Sequence, residues 1–160
     1  MVKFGKHKTY LLGLIIMTAG FLGTGFAGTN VTLLVVFNAL KGLGLGAAGG
    51  MAFGMVADTL EYGEWKDGFK AVGMGNAAIS AAQKLGLGVG QVALGIILSV
   101  GGYVNGSTTG QPESAKQAIS FMYNWLPAIL LVAAIIVMLF YNLDKKLPEM
   151  HEEIEARKRA

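Results

Sequence analysis

The chain has 160 residues, 53% of them hydrophobic and 14% charged, with a mean hydropathy of +0.53; soluble domains carry about a quarter charged residues, so that class is excluded. With 0 cysteines there is no disulfide framework, and 24 glycines against 3 prolines without a three-residue period exclude collagen-like and proline-rich disordered chains. The net charge of +3 does not mark a nucleic-acid partner, because most basic residues fall in three short polar stretches (Lys3, Lys6, Lys8; Lys66, Lys70; Lys145, Lys146, Arg157, Lys158, Arg159), as positive-inside loops do.

What remains is an all-α membrane protein with four transmembrane helices. Residues 1–9 read as a basic cytoplasmic stretch. Its charged head resembles that of a signal peptide, but no Ala-x-Ala cleavage site follows, so the run after it is expected to be a retained helix. The apolar runs 10–28, 31–57, 72–103 and 119–142 are each long enough, at about 1.5 Å per residue, to cross a hydrocarbon core of about 30 Å. They lack period-2 alternation, and open sheets do not exist in lipid, so helices are the expected state. Between them lie a tight turn, a polar loop over 58–71 and a loop over 104–118, with a tail over 143–160. The basic residues place both termini and the 58–71 loop in the cytoplasm and the 104–118 loop outside.

In the second run, Gly42, Gly46, Gly50 and Gly54 recur every four residues, as Gly86 and Gly90 do in the third. Such a ridge admits a neighbouring helix backbone. A phosphate-cradling loop is excluded, since no strand precedes Gly42 and no Gly-Lys-Ser/Thr follows. Lys41 sits about ten residues into this run with Asn38 one turn before it; its stem could snorkel to the outer interface, or its head could face a cavity.

The segment from Asp58 to Lys70 sets Asp58, Glu61 and Glu64 three apart, with Tyr62 and Trp65 where an interfacial aromatic belt belongs, then Lys66 and Lys70. Negative charge near a helix C-terminus is unfavourable, so Asp58 and Glu61 are expected to need basic partners from elsewhere. By charge pattern alone the segment also reads as a solvated connector.

Lys84 lies mid-span in the third run, where an ammonium costs at least about 2.5 kcal/mol on insertion scales. Asn76, Ser80, Gln83, Lys84 and Gln91 follow helical spacing as one polar stripe, which predicts a bundle interior or watery cavity. No nucleophile–base pair or metal-ligand cluster occurs, and His7 and His151 fall in polar surface stretches, so neither an enzyme nor a metal site is expected.

The wording of Met55-Val-Ala-Asp58-Thr-Leu-Glu61-Tyr62-Gly63-Glu64-Trp65-Lys66-Asp67-Gly68-Phe69-Lys70-Ala-Val-Gly73, followed by Gln83-Lys84-Leu-Gly86, resembles the glycoside-pentoside-hexuronide:cation symporter family of the major facilitator superfamily. Phe4-Gly5-Lys6-His7-Lys8 and the tail from Tyr141 through Arg157 are similar to the flanking parts of that family. The family's usual Thr, Arg and Glu in the loop stand here as Asp67, Lys70 and Val72.

The resemblance implies that the chain corresponds to helices nine to twelve of a twelve-helix sugar transporter in the bacterial inner membrane, with Asp58 to Lys70 between helices ten and eleven. It implies alternating access, coupled to sodium or protons, for a sugar or glycoside, with no other cofactor. Lys84, Gln83, Ser80, Asn76, Gln91, Asn38 and Lys41 would line the cavity, and Asp58, Glu61, Tyr62, Glu64, Lys66 and Lys70 would form a cytoplasmic gate. No carboxylate lies deep in any span, so the cation site is expected mainly in transporter helices outside this chain. The rival expectation is a small four-helix membrane protein that assembles with another copy or a partner and transports nothing.

Overall fold

The computed structural model describes residues 5–68, 72–107, 110–141 and 143–159. Among them there is no strand, and four helices are long and apolar enough to cross a membrane: Lys6–Phe26, Val31–Asp67, Val72–Val100 and Glu113–Leu139. We number the helices α1 (Lys6–Phe26), α2 (Val31–Asp67), α3 (Val72–Val100), α4 (Glu113–Ser120), α5 (Leu126–Leu139) and α6 (Leu147–Arg159), with a π-helical turn, Phe121–Trp125, joining α4 to α5.

A short turn joins α1 and α2 into a hairpin. Gly28 adopts φ +55°, and the Asn30 side chain accepts from the Leu33 N–H at 3.2 Å, capping α2. The two helices touch backbone to backbone. A Cβ added to Gly13 would lie 2.7 Å from the Ala48 nitrogen, one on Gly20 2.9 Å from the Lys41 nitrogen, and one on Gly44 2.6 Å from the Gly13 carbonyl oxygen. In lipid there is little hydrophobic drive between helices, so this close approach gains its stability from dispersion contacts. Thr18 in α1 returns its hydroxyl to the carbonyl of Leu14, which lets it be buried without an unmet donor.

Within this chain the contact ridge is thus Gly44 and Ala48 against Gly13 and Met17, with Gly20 against Phe37 and Lys41, and not the row expected from the sequence. Gly42, Gly46 and Gly50 have nothing within 4 Å of an added Cβ, and the same holds for Gly86 and Gly90; Gly54 meets only the Lys6 stem, at 3.4 Å. The run 42–50 carries glycines on two faces, and only the partner helix decides which face closes.

α2 is also longer than its apolar run. The helix expected to end at 57 continues for ten residues through Asp67, so most of the 58–71 segment is helical rather than a loop. Its stop is Gly68, at φ +78°, whose N–H donates to the Glu64 carbonyl at 3.0 Å. At 37 residues, α2 is about 55 Å long at 1.5 Å per residue, well beyond a bilayer core of about 30 Å.

The fourth span likewise starts early, at Glu113 instead of 119, with Pro112 before it and Glu113 in its first turn. Its π turn has a local cause. Pro127 has no N–H to give the Tyr123 carbonyl, and the Leu126 N–H bonds five residues back, to Phe121.

Outside the hairpin the packing thins. No residue of α3 is buried; Gly75 packs against the Leu60 side chain and Gly101 against Ala118. The tail is helical, and α6 buries Met150 completely, with 0% of its surface accessible, and nearly buries Ile154.

Candidate functional site

The polar groups form two sets, one at the end of the bundle that carries both described termini and one within the spans.

At the terminal end, Asp58 retains 3% of its accessible surface, at the start of the polar part of α2. The ammonium of Lys6, in the first turn of α1, chelates it at 2.7 and 2.9 Å. The basic partner required by charge at the end of an apolar helix is therefore Lys6. The next residue, His7, donates its backbone N–H to Asp144 at 3.2 Å, so the tail supplies a carboxylate to the open N–H end of α1. The His7 ring nitrogen Nε2 lies 2.7 Å from the Met138 carbonyl, which makes it a donor, and the ring tilts against Tyr141 at 5.4 Å. Tyr141, just past the end of α5, is pushed above the ordinary tyrosine range by burial. The Asp58 and Asp144 carboxylates add to the rise and the Thr59 hydroxyl opposes it.

Three chain segments that are remote in sequence thus converge: the stretch before the first span, the acidic motif and the tail. Trp65 extends the convergence, donating its indole N–H to Glu153 of α6 at 2.7 Å while its ring tilts against Tyr62 at 5.7 Å. Glu61 and Glu64 are half-buried on the same stretch and Lys66 is exposed; Lys70 lies outside the described residues. Beside this cluster a cavity of about 400 Å³ opens, lined by Tyr10, Met55, Thr59, Leu60, Met138 and Tyr141.

Within the spans, Lys84, Gln83, Ser80, Asn76 and Gln91 are all exposed on α3. Among the described residues no hydrogen bond or ion pair joins them to Asn38 or Lys41, whose contacts are with Leu34, Phe21 and Tyr123. Lys41 turns instead toward α1 and the fourth span. It retains 9% of its surface, and its Nζ lies 4.2 Å from the centre of the Phe21 ring and 4.5 Å from that of Tyr123. Its head thus rests between two rings of this chain. Tyr123 donates its hydroxyl to the Asn38 side chain at 3.3 Å, and the neighbouring Asn124 is buried and accepts the Thr24 hydroxyl at 2.7 Å.

Sequence reasoning missed Lys6, His7, Tyr141 and Asp144 as members of the terminal cluster, and Phe21, Thr24, Tyr123 and Asn124 in the spans. Sequence separations of 137 for His7–Asp144 and 100 for Thr24–Asn124 leave no local pattern to read. The one available signal was Asp58 itself, a carboxylate that called for a cation.

The sequence matches the family described as MFS/sugar transport protein over residues 2–145. It is 35% identical over 157 residues to the isoprimeverose transporter of Lactiplantibacillus pentosus, a match covering 97% of this chain and 32% of that protein. It is 34% identical over 155 residues to an uncharacterized symporter of Bacillus subtilis, covering 96% and 33%, and 27% identical over 161 residues to the glucuronide carrier protein homolog of Escherichia coli, covering 99% and 35%. The chain spans about a third of the length of the curated relatives it matches. No solved structure gives a significant match.

Proposed function

Because the chain belongs to the MFS/sugar transport protein family, whose members are transporters and not enzymes, we propose that it forms four spans, helices nine to twelve, of a sugar or glycoside symporter driven by sodium or protons. The observation that carries the reading is the terminal cluster. Its acidic motif is joined by the Lys6–Asp58 ion pair to the stretch before the first span, and by Trp65–Glu153 to the tail. A linkage of that kind at one end of the spans is what a gate needs, because contacts made in only one of two conformations bias the equilibrium between them.

In this reading both termini and the motif face the cytoplasm, and Asp58, Glu61, Tyr62, Glu64, Lys66 and Lys70 form the gate. Lys84, with Asn76, Ser80, Gln83 and Gln91, lines the central cavity, its counter-charge coming from the other transporter helices. That α3 buries nothing against the rest of this chain supports a helix whose partners are elsewhere. The open row of Gly42, Gly46 and Gly50 supplies a second surface for those helices.

Uptake of labelled glycosides and glycosiduronic acids into vesicles carrying the complete transporter tests the proposal. Accumulation that requires an imposed sodium or proton gradient is the expected result. Equilibration without accumulation under either gradient would overturn the coupling, and absence of any uptake would favour an assembly partner without transport of its own.

A further inference from the structure

Lys41 presents an unresolved charge. It begins about 15 Å along α2 from the helix start, its Nζ is buried, and it makes no hydrogen bond or ion pair among the described residues. The described carboxylates cannot answer it. Asp58, Glu61, Glu64 and Asp67 sit at the far end of α2, Glu113 opens α4, and the rest belong to the tail. Lys41 also borders an open cavity of about 480 Å³ with Met17, Phe21, Gly42, Leu45 and Pro127, but its Nζ itself has almost no accessible surface. What faces it is two aromatic rings, and a cation over a ring face is stabilised by the ring quadrupole, most strongly where water is absent.

The two rings belong to different elements. Phe21 is on α1; Tyr123 is in the π turn. In the residues that follow Tyr123, Asn124 accepts the Thr24 hydroxyl at 2.7 Å and Trp125 stands edge-on to Phe26 of α1 at 5.2 Å. Three consecutive side chains therefore engage the α1–α2 hairpin. Successive residues of an α-helix diverge too far around the axis for that; a turn closed by a bond five residues back is wider and lets them converge.

We propose that Lys41 is a positioning residue, a cation clamp that grips Tyr123 against Phe21 and so holds the Phe121–Trp125 turn in its π register on the hairpin. Pro127 creates the opportunity by leaving the Tyr123 carbonyl without its α-helical donor, and Lys41 fixes the outcome. Because α4 and α5 meet at this turn, the clamp sets the direction in which the fourth span continues.

The chain has 0 cysteines, so Thr24→Cys with Asn124→Cys gives a single reporter pair across the buried contact in the full, membrane-inserted chain. Oxidative cross-linking should be efficient with Lys41 in place. It should fall at least threefold in Lys41→Met, which keeps the length of the side chain without its charge, and return in Lys41→Arg, whose guanidinium also stacks on rings. Pro127→Ala should lower it even with Lys41 present, by restoring the α-helical bond. Trp125 emission in a Trp65→Phe background, with Thr24 and Asn124 intact, gives an independent reading and should shift in Lys41→Met and not in Lys41→Arg. Equal cross-linking and unchanged emission in Lys41→Met would overturn the clamp, as would failure of Lys41→Arg to restore them in a chain that inserts normally.

Discussion

Asp58 shows how one residue can commit distant parts of a membrane chain. Its carboxylate is buried while its partner Lys6 stays half-exposed, so the two ends of the pair are not equivalent. Removing Lys6 leaves a buried anion unmatched, whereas removing the charge of Asp58 leaves a lysine that water can solvate. Lys6→Met should therefore lower stability in detergent by about 1–3 kcal/mol, and Asp58→Asn by less, with much of the loss recovered in the double variant; thermal unfolding of the four proteins measures it. Equal losses in both single variants, with no recovery, would show the pair to be a surface contact. Tyr141 gives a second expectation. Its folded-state phenol is held above the ordinary value of 10.0, so the folded chain binds that proton more tightly than the unfolded one. The stability this provides is complete below about pH 10 and declines as pH rises past it. Tyr141→Phe should remove that alkaline decline, which unfolding curves between about pH 9 and 11 would reveal. Lys84 belongs to the transport reading: Lys84→Val should insert at least as well as the parent, since a charge within the span is lost, yet fail to accumulate sugar. Undiminished uptake would remove Lys84 from the cavity.

Among the elements, α2 carries the most information because its two faces have different fates. Gly44 lies under the Gly13 carbonyl and the Met17 backbone, so Gly44→Leu should separate the hairpin in any setting. Gly46→Leu and Gly50→Leu, which meet nothing within 4 Å, should leave this chain's hairpin intact and disable only a larger assembly that packs on that face. Dimer-independent cross-linking between α1 and α2 in the membrane separates the two outcomes, and equal disruption at all three positions would mean that the open face is no interface. The spans were legible in the sequence because hydropathy over about 20 residues is a property of the segment alone. The packing face was not, because Gly42 through Gly50 serves either face and the choice rests with residues such as Gly13 and Gly20 far along the chain. The extension of α2 to Asp67 was hidden for a related reason: an acidic helix end looks unfavourable until Lys6 and Glu153 are known to meet Asp58 and Trp65. The site was legible at Asp58, as a demand for a cation, and illegible at Tyr123, whose role depends on a turn that Pro127 creates.

Taken whole, the molecule is a tight α1–α2 hairpin with the fourth span laid on it, a loosely attached α3, and a tail that returns to the first helix. In the orientation proposed above, Asp67→Cys, placed at the exposed end of α2 just before the Gly68 cap, should react with an impermeant thiol reagent only from the cytoplasmic side; labelling from outside would invert the topology. The returning tail has a consequence for how the chain is made. His7 waits for Asp144 across 137 residues, which at about 5–20 residues per second is roughly 7–27 s of synthesis. During that interval the hairpin can already be in the bilayer, while the start of α1 lacks its carboxylate and Lys6 has only Asp58 to hold it. The hairpin can therefore form first, and the end that carries both described termini is closed last. A ribosome that stalls before the tail would release a protein with sound spans and an open end, the kind of product a membrane protease can recognise without inspecting the lipid-embedded part at all.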